Sequence, residues 1–94
     1  MTEIEISKAL ALAIGWKRML PNPEADGLKQ CWVWTGHSWR IFDYRDWNVI
    51  GPIAARYRMF PQPYMSKWNV RGWSDTIADT PQKAIALAVI GANT

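Results

Sequence analysis

The most informative local pattern in the sequence is Cys31-Trp-Val-Trp-Thr-Gly-His-Ser-Trp-Arg-Ile-Phe42. If Gly36 and His37 form a two-residue turn, the flanking residues pair across two antiparallel strands. One face of the hairpin, here named the tryptophan face, then carries Trp32, Trp34, Trp39 and Ile41. A slip of one residue would mix these side chains with the small and polar ones of the other face. We therefore predict a hairpin with strands 31–35 and 38–42 whose tryptophan face is buried in the core.

Segments with helical spacing flank the hairpin. Over residues 3–14, apolar side chains recur every three or four positions, and Gly15 follows directly. Near the other end, Thr80-Pro81 supplies an N-cap and a proline at the first helical position of a helix over residues 80–90. Both segments alternate alanines with larger aliphatic side chains, a pattern that suits close packing on a sheet. We predict two long helices that pack on the hairpin.

The chain around these elements predicts a loop, a short helix and a third strand. Residues 20–30 are rich in turn formers and predict a surface loop. Gly51-Pro52 predicts the start of a short helix that runs through Arg58. After the chain breaks at Pro61 and Pro63, residues 67–73 alternate as a strand that adds Trp68 to the core. The sequence therefore predicts a single domain over residues 1–94, an α+β layered sandwich of helices packed on one small antiparallel β-sheet.

This order of elements resembles the phage ABA sandwich domain family. The motifs that carry the resemblance are Ala13-Ile14-Gly15-Trp16, Asp43-Tyr44 with Asp46, Trp68-Asn69-Val70, and Ala78-Asp79-Thr80-Pro81 followed by Ala84-Ile85, Ala88 and Ala92. The resemblance implies helices and an antiparallel sheet stacked in layers, and a phage or prophage origin. It carries over no catalytic or binding residue, because the family has none assigned.

The composition excludes several kinds of site. The chain has 94 residues, 49% of them hydrophobic, with one cysteine and one histidine. Cys31 alone excludes an internal disulfide, and Cys31 with His37 offers too few ligands for zinc, so we expect no metal and no cofactor. The longest apolar run, from Ala84 to Ala92, is too short to span a bilayer. We therefore expect no membrane contact, and the resemblance to a phage family implies the cytoplasm of the bacterial host as the location.

The residues that could support catalysis are few. Cys31 and His37 lie at opposite ends of a predicted strand, roughly 13 Å apart at about 3.3 Å for each residue, so they form no nucleophile and base pair. The candidate carboxylates stand next to turns and helix starts, where acids commonly cap helices. These carboxylates are Asp43, Asp46, Asp75 and Asp79. Glycine-rich phosphate loops are absent from the sequence. We therefore predict no enzymatic activity and no catalytic residue.

The middle of the chain is basic and rich in aromatic residues. Residues 27–71 carry seven basic and two acidic groups, a balance of +5. Arginine, tryptophan and tyrosine dominate the energetics of protein interfaces. The candidate contacts are Arg45, Trp47, Arg56, Arg58, Tyr64 and Lys67. We predict that the protein binds a host or phage protein. The specific form of this prediction is that it inhibits a bacterial defence complex, as anti-CRISPR proteins do. The alternative is that this segment binds nucleic acid or a nucleoprotein complex, or competes with nucleic acid for a target.

The last helix predicts an assembly. Ile85 and Val89 point one way, and Leu87 and Ile90 point nearly the opposite way. One layer contact cannot bury both pairs. Either the first or middle helix covers the second pair, or a second copy does, and the simplest closed arrangement is a two-fold homodimer. We predict a homodimer.

Overall fold

The computed structural model describes residues 2–17 and 31–93, without the side chains at positions 74 and 75. The predicted loop over residues 20–30 lies outside the described residues. The elements are α1 (Glu3–Ala13), β1 (Cys31–Trp34), β2 (Trp39–Phe42), α2 (Trp47–Tyr57), β3 (Pro61–Tyr64), β4 (Lys67–Val70), β5 (Trp73–Ala78) and α3 (Pro81–Ala92). The helices pack against two small antiparallel sheets, β1–β2 and β3–β4–β5. The predicted α+β fold is therefore confirmed.

The first helix begins and ends where the sequence predicts. The Thr2 hydroxyl accepts a hydrogen bond from the Glu5 N–H, and the Glu5 carboxylate accepts one from the Thr2 N–H. This capping box satisfies two amide donors at the start of α1, and the bond from the Thr2 N–H lowers the pKa of Glu5. At the other end, Gly15 has a φ of 107°, in the left-handed region that favours glycine. The chain leaves the helix there.

The hairpin has the predicted turn and register. The Thr35 N–H donates to the Ser38 carbonyl at 3.0 Å, so Gly36 and His37 form the two-residue turn. Gly36 supplies the positive φ, at 99°. The cross-strand partners are Cys31 with Phe42, Trp32 with Ile41, Val33 with Arg40, and Trp34 with Trp39. The prediction of the hairpin is therefore confirmed.

The prediction that the tryptophan face is buried in the core is wrong. The buried side chains of the hairpin are Cys31, Val33 and Phe42 on the other face. On the tryptophan face, Trp39 is 36% exposed and Ile41 is 43% exposed, while Trp32 and Trp34 are only partly buried. Alternation separates the two faces of a strand without saying which face meets a helix. Here α1 packs against β1, and compact side chains on the inner face allow that approach.

The middle helix is longer than predicted. It begins at Trp47, four residues before Gly51, because the Asp46 carboxylate caps it by accepting a hydrogen bond from the Asn48 N–H at 2.9 Å. Pro52 therefore lies inside the helix, where it cannot donate to the carbonyl one turn earlier. Ile50 and Ile53 are buried on either side of this position, and their burial offsets the missing bond. The prediction that the helix starts at Gly51-Pro52 is wrong.

The prolines at 61 and 63 lie inside a strand. They form part of β3, which is an edge strand paired only with β4 among the described elements. Two prolines two residues apart place both imide nitrogens on the same side of a strand, so both can face away from the partner. Gln62 and Tyr64 pair with Asn69 and Lys67 of β4. The edge position therefore accommodates residues that the sequence analysis interpreted as a break.

The predicted third strand over residues 67–73 is two strands. The chain reverses at Arg71 and Gly72, where Gly72 has a φ of 87°, and β5 returns beside β4. The three strands β3, β4 and β5 form a sheet separate from the hairpin, so the prediction of one common sheet is also wrong. The sequence pattern predicted an extended segment, but it did not show that a glycine with positive φ would turn it.

The last helix is the centre of the fold. The Thr80 hydroxyl accepts from the Lys83 N–H at 3.2 Å, with Pro81 at the first helical position as predicted. The helix contacts α1, α2 and all three strands of the larger sheet. Its fully buried residues are Ala84, Ile85, Ala86, Ala88 and Val89. Leu87 and Ile90 are partly buried against the same core. The second apolar pair of α3 is thus partly covered within one chain, so it no longer requires a second copy. The homodimer itself stays a prediction.

Tyr44 joins α1 to the segment before α2. It is 1% exposed, its N–H donates to the Ser7 hydroxyl at 3.2 Å, and its phenol donates to the Glu3 carboxylate. Burial raises the pKa of the Tyr44 phenol, and the hydrogen bond to Glu3 raises it further. Two positions separated by 41 residues in the chain are thereby held together.

We expect Tyr44→Phe to lower the free energy of unfolding by about 1–2 kcal/mol at neutral pH, because the ring stays and one hydrogen bond is lost. A pKa raised on folding stabilises the folded protein below the unfolded value, roughly pH 10 for tyrosine, and this contribution is lost as pH rises through the folded pKa. The wild-type advantage should therefore shrink above roughly pH 10. Urea unfolding of both proteins at neutral and alkaline pH tests this, and an advantage that is constant with pH would contradict it.

Candidate functional site

The six predicted contact residues lie at three separate places. Arg45 and Trp47 are at the beginning of α2, Arg56 and Arg58 are at its end, and Tyr64 with Lys67 forms the last pair of β3 and β4. Arg56 lies nine residues after Trp47 along the helix, which is roughly 14 Å at about 1.5 Å for each step. The structure therefore does not bring the six residues together into one site.

Arg45 is held by its own turn. Its guanidinium contacts the Asp43 carboxylate at 2.8 Å, and the Asp43 carboxylate also accepts from the Arg45 N–H at 2.9 Å. The hydrogen bond from Arg45 lowers the pKa of Asp43. Trp47, the first residue of α2, is 50% exposed. The Arg45 guanidinium is thus already paired, and its neighbouring ring lies outside both surfaces described below.

A groove of about 700 Å³ lies between the inner face of the hairpin and α2, and is here named the hairpin–α2 groove. Its apolar lining residues are Ile14, Trp16, Val33, Ile41, Phe42, Val49, Pro52 and Ile53. Its polar lining side chains are Thr35, Arg40, Asp46, Asn48 and Arg56. The volume falls in the range of natural ligand sites. An apolar floor with a few polar groups around it can bind a peptide segment that carries both apolar and polar side chains.

The charge of the groove is positive. Arg40 comes from β2 and Arg56 from α2, and neither forms an ion pair with any residue in the described ranges 2–17 and 31–93. The Arg56 guanidinium carbon lies 5.3 Å from the centre of the Tyr57 ring. The one carboxylate in the lining belongs to Asp46, and it already accepts the capping hydrogen bond of α2. Two arginines therefore remain available to an acidic group.

Sequence reasoning missed Arg40 as a candidate contact. The predicted register already paired Arg40 with Val33, and that pairing is confirmed. The error lay in assigning their face to solvent. Because Val33 is buried and both residues line the groove, Arg40 points toward α2. The predicted register therefore already placed Arg40 on the same face as Val33. What the sequence did not indicate was that this face of the hairpin turns toward the helices.

A second surface lies on the face of β3–β4–β5 opposite α3 and is here named the outer sheet face. Tyr64 is 44% exposed there, beside Lys67, which pairs with the Asp79 carboxylate at 2.5 Å and lowers its pKa. Arg58, with a φ of 56°, lines a depression of about 370 Å³ together with Phe60 and Arg71. Sequence analysis missed Phe60 as a candidate contact because a ring near two prolines gave no sign of being exposed.

The predicted capping roles of the acids are confirmed in part. Asp46 is the N-cap of α2, and Asp43 accepts from the backbone of its own turn. Asp79 does not cap α3, because Thr80 does and Asp79 binds Lys67 instead. The side chain of Asp75 lies outside the described part of the chain.

Neither the cysteine nor the histidine of the hairpin is placed to act as a nucleophile or a base. Cys31 is 1% exposed, and burial raises the pKa of its thiol. His37 is exposed in the hairpin turn. Within residues 2–17 and 31–93, no group of three or more His, Cys, Asp or Glu could hold a metal ion. None of the helices in those ranges is long and apolar enough to cross a bilayer.

No family model, curated protein or solved structure matches this chain. The resemblance to the phage ABA sandwich domain family therefore rests on the short motifs alone and stays a prediction.

Proposed function

We propose that this protein is a non-enzymatic binding protein whose hairpin–α2 groove holds an acidic segment of a partner protein. The observation that supports the proposal is the pair Arg40 and Arg56 above an apolar floor, with no ion pair to a described residue. Guanidinium groups bind carboxylates through two parallel hydrogen bonds, which gives direction as well as affinity. The fitting partner segment carries carboxylates next to an apolar or aromatic side chain.

The groove divides this recognition between two elements. Arg40 is fixed on a strand of the hairpin, and Arg56 is fixed on the last turn of α2. Ile53 and Phe42 lie below them, each less than 10% exposed. An apolar side chain of the partner inserted between the arginines would bury surface, while its acidic neighbours bind the two guanidinium groups. Phage origin and inhibition of a bacterial defence complex remain predictions from the resemblance.

A capture experiment tests the groove. Wild-type protein and the variant R40E/R56E are immobilised, incubated with nuclease-treated bacterial lysate, and the captured proteins are quantified by mass spectrometry. We expect partners that bind wild type to be lost from R40E/R56E, because charge reversal repels an acidic segment. Crosslinking should place that segment beside α2.

The matched control is K17Q/K83Q, which removes two positive charges outside the groove. It should retain the partners, since neither lysine lines the groove. Capture of the same proteins by wild type and R40E/R56E, with both variants folded by circular dichroism, would exclude the groove as the binding site.

A further inference from the structure

We propose that the outer sheet face binds single-stranded nucleic acid, with Phe60 and Tyr64 as stacking rings and Arg58 and Arg71 as phosphate contacts. The site is separate from the hairpin–α2 groove and does not depend on the function proposed for the groove. The proposal rests on the orientation of the sheet, the exposure of two rings, the unpaired arginines and the size of the face.

The two sides of the sheet differ in how much of them is exposed. α3 contacts β3, β4 and β5, and Val70 and Ala78 are buried on the α3 side. The pairs Gln62 with Asn69 and Tyr64 with Lys67 belong to the opposite side, because facing residues of an antiparallel pair share a face. Of these, Gln62, Tyr64 and Lys67 are exposed, as is Ile77 of β5, whereas Asn69 between them is only 6% exposed.

Two aromatic rings stand on the outer sheet face. Phe60 directly precedes β3 and is 59% exposed, and Tyr64 ends the strand and is 44% exposed. Tyr64 lies four residues after Phe60 along extended chain, roughly 13 Å at about 3.3 Å for each step. That distance is too great to sandwich one base and suits the stacking of two different bases. Pro61 and Pro63 fix the backbone between the rings, so little conformational freedom is lost on binding.

Positive charge accompanies the rings. Arg58 and Arg71 line one depression with Phe60 and Gln62, and neither arginine forms an ion pair within the described ranges. Beside Tyr64, Lys67 pairs with Asp79, but both side chains are at least half exposed. Such exposed pairs are worth only about 0–1 kcal/mol, so a phosphate can replace Asp79 at little cost. Proteins that bind single strands without sequence preference stack the bases on aromatic rings and bind the phosphates with flanking cations.

The dimensions favour nucleic acid over a folded protein partner. Three strands about 4.8 Å apart and four residues of about 3.3 Å each give a face of roughly 10 Å by 13 Å. A stable protein interface buries on the order of 800 Å² of each partner, far more than this face offers. A strand of a few nucleotides fits the face and meets both rings. Double-stranded nucleic acid fits poorly, because its bases cannot stack on the rings.

Fluorescence anisotropy with labelled oligothymidylate and oligouridylate of about 12 nucleotides tests the proposal. We expect binding at about 50 mM salt that weakens steadily toward about 200 mM. Phe60→Ala and Tyr64→Ala should each weaken binding by roughly tenfold. R58Q/R71Q should make the slope of log affinity against log salt shallower by about 1.4, or about 0.7 for each phosphate contact. Comparison of the two oligonucleotides tells whether DNA or RNA is preferred, and either preference supports the site.

Matched controls keep the result specific. Trp47→Ala removes an exposed ring outside the outer sheet face, and K17Q/R40Q removes two cations outside it, so both should bind as wild type does. The substituted rings are exposed, so every variant should keep the wild-type unfolding midpoint.

The proposal is overturned by an absence of binding at low salt, by equal loss in Trp47→Ala and Tyr64→Ala, or by tighter binding to a duplex. It is also overturned if Phe60 and Tyr64 are needed for protein capture but not for oligonucleotide binding. R40E/R56E capture experiments report on the groove alone, so failure of one proposal leaves the other testable.

Discussion

Phe42→Ala is expected to lower the free energy of unfolding by about 3–5 kcal/mol, the usual cost of truncating a core phenylalanine. Phe42 is 6% exposed and belongs to the inner face of the hairpin, where it pairs with Cys31 across the strands. Removal of the ring leaves a cavity in the core between the hairpin and the helices. Chemical denaturation monitored by far-ultraviolet circular dichroism measures the loss.

The matched comparison is Trp39→Ala, on the opposite face of the same strand. Trp39 is 36% exposed and packs edge to face on Trp34, with ring centroids 5.3 Å apart. Its truncation should cost about 1 kcal/mol, the scale of such an aromatic pair. Because the sequence pattern assigned the tryptophan face to the core, the two variants separate the alternatives. A larger loss for Trp39→Ala than for Phe42→Ala would mean that the hairpin is turned the other way.

Ile85→Ala is expected to lower the free energy of unfolding by about 2–5 kcal/mol. Ile85 is fully buried in α3, which contacts the other two helices and the larger sheet. The neighbouring side chains of Ala84 and Ala86 are fully buried and too short to move into the cavity that the substitution leaves. The loss should therefore lie toward the upper end of the range for such substitutions.

Leu12→Ala is the control for this prediction. Leu12 is of similar size but 60% exposed on α1, so its truncation should change stability by less than about 0.5 kcal/mol. Thermal or urea unfolding of the two variants side by side gives the comparison. Equal losses would contradict the central position of α3 in the core.

Local rules in the sequence determined the ends of the two long helices and the turn of the hairpin. The capping box of Thr2 with Glu5, the positive φ of Gly15 and the Thr80-Pro81 start of α3 depend on residues within one or two turns. The register of the hairpin is equally local, because the two-residue turn at Gly36 fixes every pair that follows. For this reason the two long helices, the hairpin and the α+β class could be predicted without a structure.

Tertiary contacts decided which face of each element is buried and where the extended segments join. The hairpin buries the face of Val33 because α1 packs there, a contact between residues far apart in the chain that alternation does not encode. Pro61 and Pro63 belong to a strand only because β3 lies at a sheet edge. Both candidate sites follow from these contacts. Arg40 and Arg56 line one groove, and Phe60 and Arg71 share one depression, only once the chain is folded, because each pair brings together residues from different elements.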